Sequence, residues 1–166
     1  DISLNLRTSW LERKRDLAFL MGPVSEFSVE NVPLPSFDLH WYRSVSNAQT
    51  DLSVVPVISY ARMTRPYREL MSELSRRIGP SVRVFASASL SASLKMIAAG
   101  IAVGPYPRAL ARDFLKSEQI VEFDAGFRPQ PLQFTASYLS EPRSFLVENS
   151  AEIAQSVALN WDKSQP

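Results

Sequence analysis

The chain has 166 residues, of which 45% are hydrophobic and 21% charged, with one histidine and no cysteine. These proportions are those of a folded globular protein, and the length suits one domain or two small lobes. The absence of cysteine excludes disulfides, thiolate catalysis and zinc–cysteine sites, and a formal net charge of +1 gives no general attraction to nucleic acid. No apolar run approaches the roughly 20 residues of a membrane span.

Taken in order, Ile2–Leu6 alternates apolar and polar residues as a strand does, and ends at Arg7-Thr8-Ser9. Asp16–Met21 is nearly all apolar, closes at Gly22-Pro23, and reads as a strand buried on both faces. Parallel neighbours need a crossover of about a dozen residues, and only Trp10 to Arg15 are available here. Residues are therefore expected to be missing near Thr8–Trp10. The start at Asp1 rather than Met also reads as a piece of a longer chain.

Phe27–Leu34 and Asp38–Tyr42 come next as extended segments, and Ser44–Ser53 as a polar loop. Val54–Tyr60 is β-branched, with Pro56 at a strand entry. Pro66 suits the first turn of a helix carrying Tyr67, Leu70, Met71, Leu74 and Ile78, which Gly79-Pro80 ends. A strand over Ser81–Ala86 leads to Ser87 and Ser89, then to a helix with Leu90, Leu94, Ile97 and Ala98 on one stripe. Gly100 stops this helix, Ile101–Val103 is a short strand, and Gly104-Pro105 is expected to end it. Pro107 opens a helix with Leu110, Ala111, Phe114 and Leu115 inward. Ile120–Phe123 and Leu132–Leu139 are strands, and Pro142 introduces a last helix with Leu146, Ile153, Ala154, Val157 and Trp161 on its inner side. Strands alternating with helices mean α/β.

The organising stretch is Ser87–Pro107. Serines at a helix start accept from the free N–H groups of the first turn, and such a mouth also favours small anions. Taken alone, the serines could be caps and nothing more. The arrangement appears twice, with Thr8 and Ser9 after the first strand, and this raises the binding reading. Arg62, just past a strand end, could clamp a carboxylate or phosphate bidentately, or form a surface ion pair. Tyr60 and Tyr106 could be aromatic walls or core. The basic run Arg62, Arg65, Arg68, Arg76, Arg77 and Arg83 reads as a solvated face, with Glu69 and Glu73 as i,i+4 partners. His40 has no cysteine or nucleophile pattern near it, so a structural role is expected. G-x-S-x-G, P-loop and dinucleotide fingerprints are absent.

The segments Asp16–Pro23, Pro56–Arg62, Ser87–Ser89 and Gly100–Val103 resemble, in order and spacing over nearly the whole chain, the effector-binding domain of LysR-type transcriptional regulators. Ala102 departs from the second glycine common in that family's turn, and Ser44–Leu52 is shorter than the family's connection. The resemblance implies a two-lobed, periplasmic-binding-protein-like fold, each lobe a mixed, mostly parallel sheet flanked by helices. Lobe I would be 1–42 plus 137–166 and lobe II 43–136, joined by hinge strands near Trp41–Ser44 and Thr135–Ser137. Ligand would lie between lobes, against Thr8, Ser9, Met21, Gly22, Pro23, Ala61, Arg62, Ser87 and Ser89. It also implies a non-enzymatic, cytoplasmic sensor of a small, anionic effector, without cofactor, metal or membrane contact. Such a sensor would be a homodimer or higher homo-oligomer through the 89–99 helix or a missing first helix. DNA would be bound only through a helix-turn-helix domain absent from this chain. A solute-binding protein of a transport system is the alternative on the same fold.

Overall fold

The structure, a computed structural model, describes residues 16–163. The strand expected at Ile2–Leu6 and the Thr8–Trp10 connection lie outside the described residues. The order is β1 (Leu17–Met21), β2 (Val29–Pro33), β3 (Leu39–Ser44), β4 (Val57–Ser59), α1 (Arg65–Arg77), β5 (Val84–Ala86), α2 (Leu90–Ala98), β6 (Gly104–Pro107), α3 (Arg108–Lys116), β7 (Ile120–Phe123), β8 (Phe134–Leu139) and α4 (Phe145–Lys163). The chain divides into two compact units, Asp1–Phe37 with Leu132–Pro166, and Asp38–Pro131. The expected boundaries at 42/43 and 136/137 are thus each displaced by five residues. The reason is pairing: Leu39–Ser44 hydrogen-bonds along its length to β6 and β7 of its own unit, and β8 pairs with β1 and β2 of the other.

In the first unit, β8 lies between β1 and β2, antiparallel to both, so Ala136 faces Phe19 on one side and Val32 on the other. Ala18, Leu20 and Val24 form its core, with Val29 and Leu139 packed against them. β1 is not covered on both faces: Phe19 is 52% exposed, and the strand alternates in burial like the antiparallel strand it is. Phe37 and Leu132 exchange two backbone hydrogen bonds of 2.9 Å, so the outgoing and returning passes of the chain are paired where they leave this unit.

α4 corrects the expected orientation. Leu146, Ile153 and Val157 are 77%, 63% and 62% exposed, and the buried face is the stripe of Val147, Ala151, Ala154 and Ala158. Two apolar stripes, one of large and one of small residues, share this helix. The small one allows closer approach to the sheet, and Gln155 fixes that side by donating to the Pro33 carbonyl at 2.6 Å.

In the second unit, β3 is central between β6 and β7, antiparallel to both, and β4 pairs in parallel with β5. A parallel bridge from Val57 to Val103 brings β4 beside the segment entering β6. Among the described residues both three-stranded sheets are antiparallel throughout, and the parallel pairing expected to dominate is confined to β4–β5 and this bridge, because β3 and β8 each run opposite to the strands beside them. Trp41, Leu52, Val55, Val57, Leu70, Leu74 and Val103 make the core. α1 places Leu70 and Leu74 there, and Pro66 sits within its first turn as expected. Gly104-Pro105 does not end a strand; it begins β6, where the glycine backbone lies too close to Ile58 for any side chain. On α3, Ala111 is buried and Leu110 is 42% exposed rather than inward, so a smaller residue again makes the contact. The 45–52 loop is held by local bonds, with Asn47, Gln49 and Asp51 side chains accepting from backbone N–H groups one or two residues on.

Candidate functional site

Parallel pairing sends β4 and β5 out at the same edge, so the segments leaving Ser59 and Ala86 emerge side by side. The Ser87 N–H donates to the Ser59 carbonyl at 3.1 Å and ties them. In open α/β sheets the carboxyl ends of parallel strands are where ligands are taken up. From β4 the chain runs through Tyr60–Thr64 into α1; from β5 it runs through Ser87–Ser89 into α2.

The α2 mouth is built by serines. The Ser89 hydroxyl caps the helix by accepting from the Ala92 N–H at 3.2 Å. Ser87 accepts from the Ser89 N–H and donates to the Ser89 carbonyl, both at 3.1 Å. The N–H groups of Leu90 and Ser91 have no acceptor among the described residues, and the first turn of α2 carries no acidic side chain. The positive end of the helix dipole is therefore uncompensated by the helix's own first turn. Beneath it, Ser59 is fully buried with its hydroxyl unpaired. Such an orphan normally has a partner in water or ligand.

Arg62 lies exposed on the loop after β4 and makes no ion pair among the described residues. Ala61 accepts at its carbonyl from both the backbone N–H of Thr64 (2.9 Å) and its hydroxyl (2.6 Å), which closes that loop. Three of the basic residues behave as a solvated helix face: Arg65 pairs with Glu69 at 2.6 Å, and Arg76 and Arg77 share Glu73 at 2.8 Å each.

Tyr60 and Tyr106 are core. They are 5% and 0% exposed, pack with ring planes tilted by 47° and centroids 5.4 Å apart, and donate to the carbonyls of Pro105 and Ile58 at 3.3 and 3.4 Å. Burial pushes the Tyr106 phenol from 10.0 up to about 12, and raises Tyr60 and Tyr42 as well. Each of these phenols is preferred neutral in the fold, so its contribution is intact below pH 10 and is lost as pH rises through the folded values. Each contributes a loss of about 1.4 kcal/mol per pH unit in that window. A titration of absorbance near 295 nm should show these three tyrosines ionising only with cooperative unfolding. Ionisation of all five tyrosines near pH 10 in folded protein would contradict their burial.

In the first unit, Met21, Gly22 and Pro23 form a fixed turn. Gly22 has φ +80°, its N–H donates to the Gln133 carbonyl at 2.8 Å and its carbonyl accepts from the Thr135 hydroxyl at 3.1 Å. Thr135 contacts Ser137 at 2.9 Å, Ser137 donates to Asn31 at 2.8 Å, and the Asn31 amide exchanges two 3.0 Å bonds with the Val24 backbone. Two hydroxyl protons serve three contacts in this buried chain, so at any instant one contact lacks a proton. The polar groups of the turn are thereby engaged, and Met21–Pro23 offers a wall rather than donors. Thr8 and Ser9 lie outside the described residues. Sequence reading gave no polar role to Ser59, Asn31, Thr135 or Ser137, and such roles become visible only when strands distant in sequence pair.

Among the described residues no three His, Asp or Glu side chains converge as a metal site, and no helix is long and apolar enough to cross a membrane. The chain is similar in fold to the bromide-bound regulatory domain of HypT from Salmonella typhimurium, with TM-score 0.78 and 15% identity over 95% of this chain and 80% of that one. It is similar to the effector-binding domain of QuiR in complex with shikimate, with TM-score 0.75 and 12% identity over 96% and 79%. Full-length LysG from Corynebacterium glutamicum, with bound effector arginine, matches with TM-score 0.68 and 16% identity over 95% of this chain and 56% of that one. No curated protein sequence matches significantly. The family model of the LysR substrate binding domain matches residues 2–158, and the chain belongs to that family, the effector-binding domains of LysR-type regulators.

Proposed function

We propose that this domain senses a small carboxylate or comparable oxyanion and passes the signal to DNA binding in a LysR-type transcription regulator. The observation that carries the reading is the α2 mouth: free N–H groups on Leu90 and Ser91, hydroxyls on Ser87 and Ser89, and no internal anion. A carboxylate there would accept two backbone N–H bonds at the positive end of a helix, an interaction of the strong, charge-assisted kind. Arg62 and the Ala61 loop would meet its other side. Of the species bound in HypT, QuiR and LysG, bromide is an anion and shikimate and arginine each carry a carboxylate, which supports recognition of a carboxylate group rather than of net charge.

The DNA-binding part would be supplied by a region outside this chain, in a cytoplasmic homo-oligomer. The effector would act by favouring one arrangement of the regulator over another. A solute-binding role in transport gains nothing from these matches.

A thermal-shift screen of small carboxylates and their uncharged amides, run on the parent, Arg62→Ala and Ser89→Ala, tests this. A true ligand at 100 times its Kd stabilises by about 2.7 kcal/mol. Loss of the Ser89 cap alone costs about 1 kcal/mol, so each shift is read against its own variant without ligand. The expected result is stabilisation of the parent by carboxylates but not amides, reduced in both variants. Equal stabilisation of all three proteins would refute the site.

A further inference from the structure

The second unit contains another concavity, built from residues that the serine-lined edge does not use. Its volume is about 330 Å3, at the lower end of small-molecule sites. Trp41, Phe123 and Phe127 supply apolar wall, and His40, Glu122, Asp124 and Arg128 supply the polar groups.

The wall is preformed. The Trp41 indole N–H donates to the Phe127 carbonyl at 2.9 Å, their rings meet edge to face at 5.4 Å, and the Arg77 guanidinium sits 4.7 Å from the Phe127 ring centre. The Asp124 carboxylate accepts from the Gly126 N–H at 2.8 Å, which closes the loop between them. A site whose walls are already ordered loses little freedom on binding.

The polar lining is unbalanced. Glu122 is half-buried and receives one hydrogen bond, from His40 Nδ1 at 2.6 Å, so Nδ1 carries a proton. A carboxylate has about four lone-pair sites, and the rest of this one has no protein donor among the described residues. Tyr42, opposite Glu122 on the neighbouring strand, is fully buried with its hydroxyl unpaired. Asp124 adds a second negative charge. Arg128, the one guanidinium in the lining, and Asp124 are both solvent-exposed, where water screens them alike, so the least screened charge of the lining is that of Glu122.

We propose that this concavity is a second small-molecule site, one that takes a compact organic ammonium compound. The ammonium would lie against Glu122 and Asp124, and its apolar body against Phe123, Phe127 and the edge of Trp41. The aromatic walls would add cation–π attraction. Arg128 can meet a carboxylate where the ligand also carries one, but the ammonium is the group the site selects. His40 lies just after the chain enters this unit at Asp38, and Arg128 just before it leaves at Pro131. A ligand in this concavity would lie beside both segments and give the regulator an input separate from its anionic effector.

Phenethylamine, phenylalanine and phenylacetate, titrated separately into the whole 166-residue chain, distinguish the possibilities. The readouts are the Trp41 indole N–H resonance and calorimetric affinity. The two ammonium compounds should shift that resonance saturably, phenethylamine while leaving the Leu90 and Ser91 amides in place, and phenylacetate should not shift it. Glu122→Gln should weaken phenethylamine at least tenfold. Asp124→Asn, a surface change that keeps the oxygen facing Gly126, should weaken it by a smaller factor, and it stands as the test should Glu122→Gln not fold. A phenylacetate shift of the Trp41 resonance at concentrations as low as those of phenethylamine overturns the proposal. So do undiminished binding to the folded variants, perturbation confined to Leu90 and Ser91, and absence of saturation by about 10 mM. None of these bears on the carboxylate screen, which reads the α2 mouth.

Discussion

Trp41→Ala should remove about 3–5 kcal/mol of stability, the cost of truncating a large buried aromatic. Trp41 is 2% exposed at the centre of the Leu52, Val55, Val57, Leu70, Leu74 and Val103 cluster. Its ring packs on Phe123 at 6.1 Å and Phe127 at 5.4 Å. Its indole N–H also holds a loop carbonyl 86 positions away. Truncation therefore opens a cavity between β3 and α1 and frees the 124–127 loop together. Domains of this kind have total stabilities of about 5–15 kcal/mol, so the variant should unfold at a urea midpoint lower by roughly 1–3 M for an m-value of about 2 kcal/mol/M. A loss below about 1 kcal/mol would mean that Trp41 does not occupy the core.

Gly104→Ala should cost about 3 kcal/mol, at the upper end for overpacking, because the neighbour it meets cannot yield. A Cβ there would stand 2.5 Å from the Ile58 carbonyl oxygen, 3.0 Å from Tyr106 Cε2 and 3.1 Å from Ile58 Cγ2. The same seam carries the bonds from Ile58 N–H to Val103 at 2.7 Å and from Val103 N–H to Pro56 at 2.9 Å. Relief of the clash must stretch them. Gly100→Ala provides the comparison: its φ of +72° disfavours a side chain, but the nearest atom to a Cβ is 3.4 Å away. That substitution should cost about 1–2 kcal/mol, the left-handed penalty alone. Thermal unfolding of both should rank Gly104→Ala as the more damaging. The reverse order would mean that β4 and β6 do not approach as closely as described.

The parts of this fold that local chemistry specifies were legible before any coordinates. Ser89 caps α2 because a serine oxygen three residues before an amide can reach it. Leu94 and Ile97 point inward because helical spacing puts them on one stripe, and Pro66 marks the start of α1 because a proline cannot sit deeper. The features that escaped sequence reading depend on pairs far apart in the chain. Glu122 meets His40 across 82 positions and Ser137 meets Asn31 across 106. The periodicity of α4 could not choose between its stripe of large residues and its stripe of small ones, and packing chose the small. Gly104-Pro105 looks like a terminator in isolation. Beside Ile58 the glycine is instead the residue that lets two strands touch.

The same division holds for the candidate site. Ser87, Ser89, Ala61 and Arg62 could be placed from strand and helix ends, because parallel strands deliver their outgoing loops to one edge. The buried Ser59 hydroxyl and the free Leu90 and Ser91 amides could not, since being unpaired is a property of the assembled unit.

The α2 mouth is most directly tested by amide NMR of the chain titrated with a carboxylate that stabilises it. The account predicts that the Leu90 and Ser91 N–H signals move furthest downfield and saturate together, with smaller shifts at Ser87 and Ser89. Saturable binding that leaves Leu90 and Ser91 unmoved would contradict it.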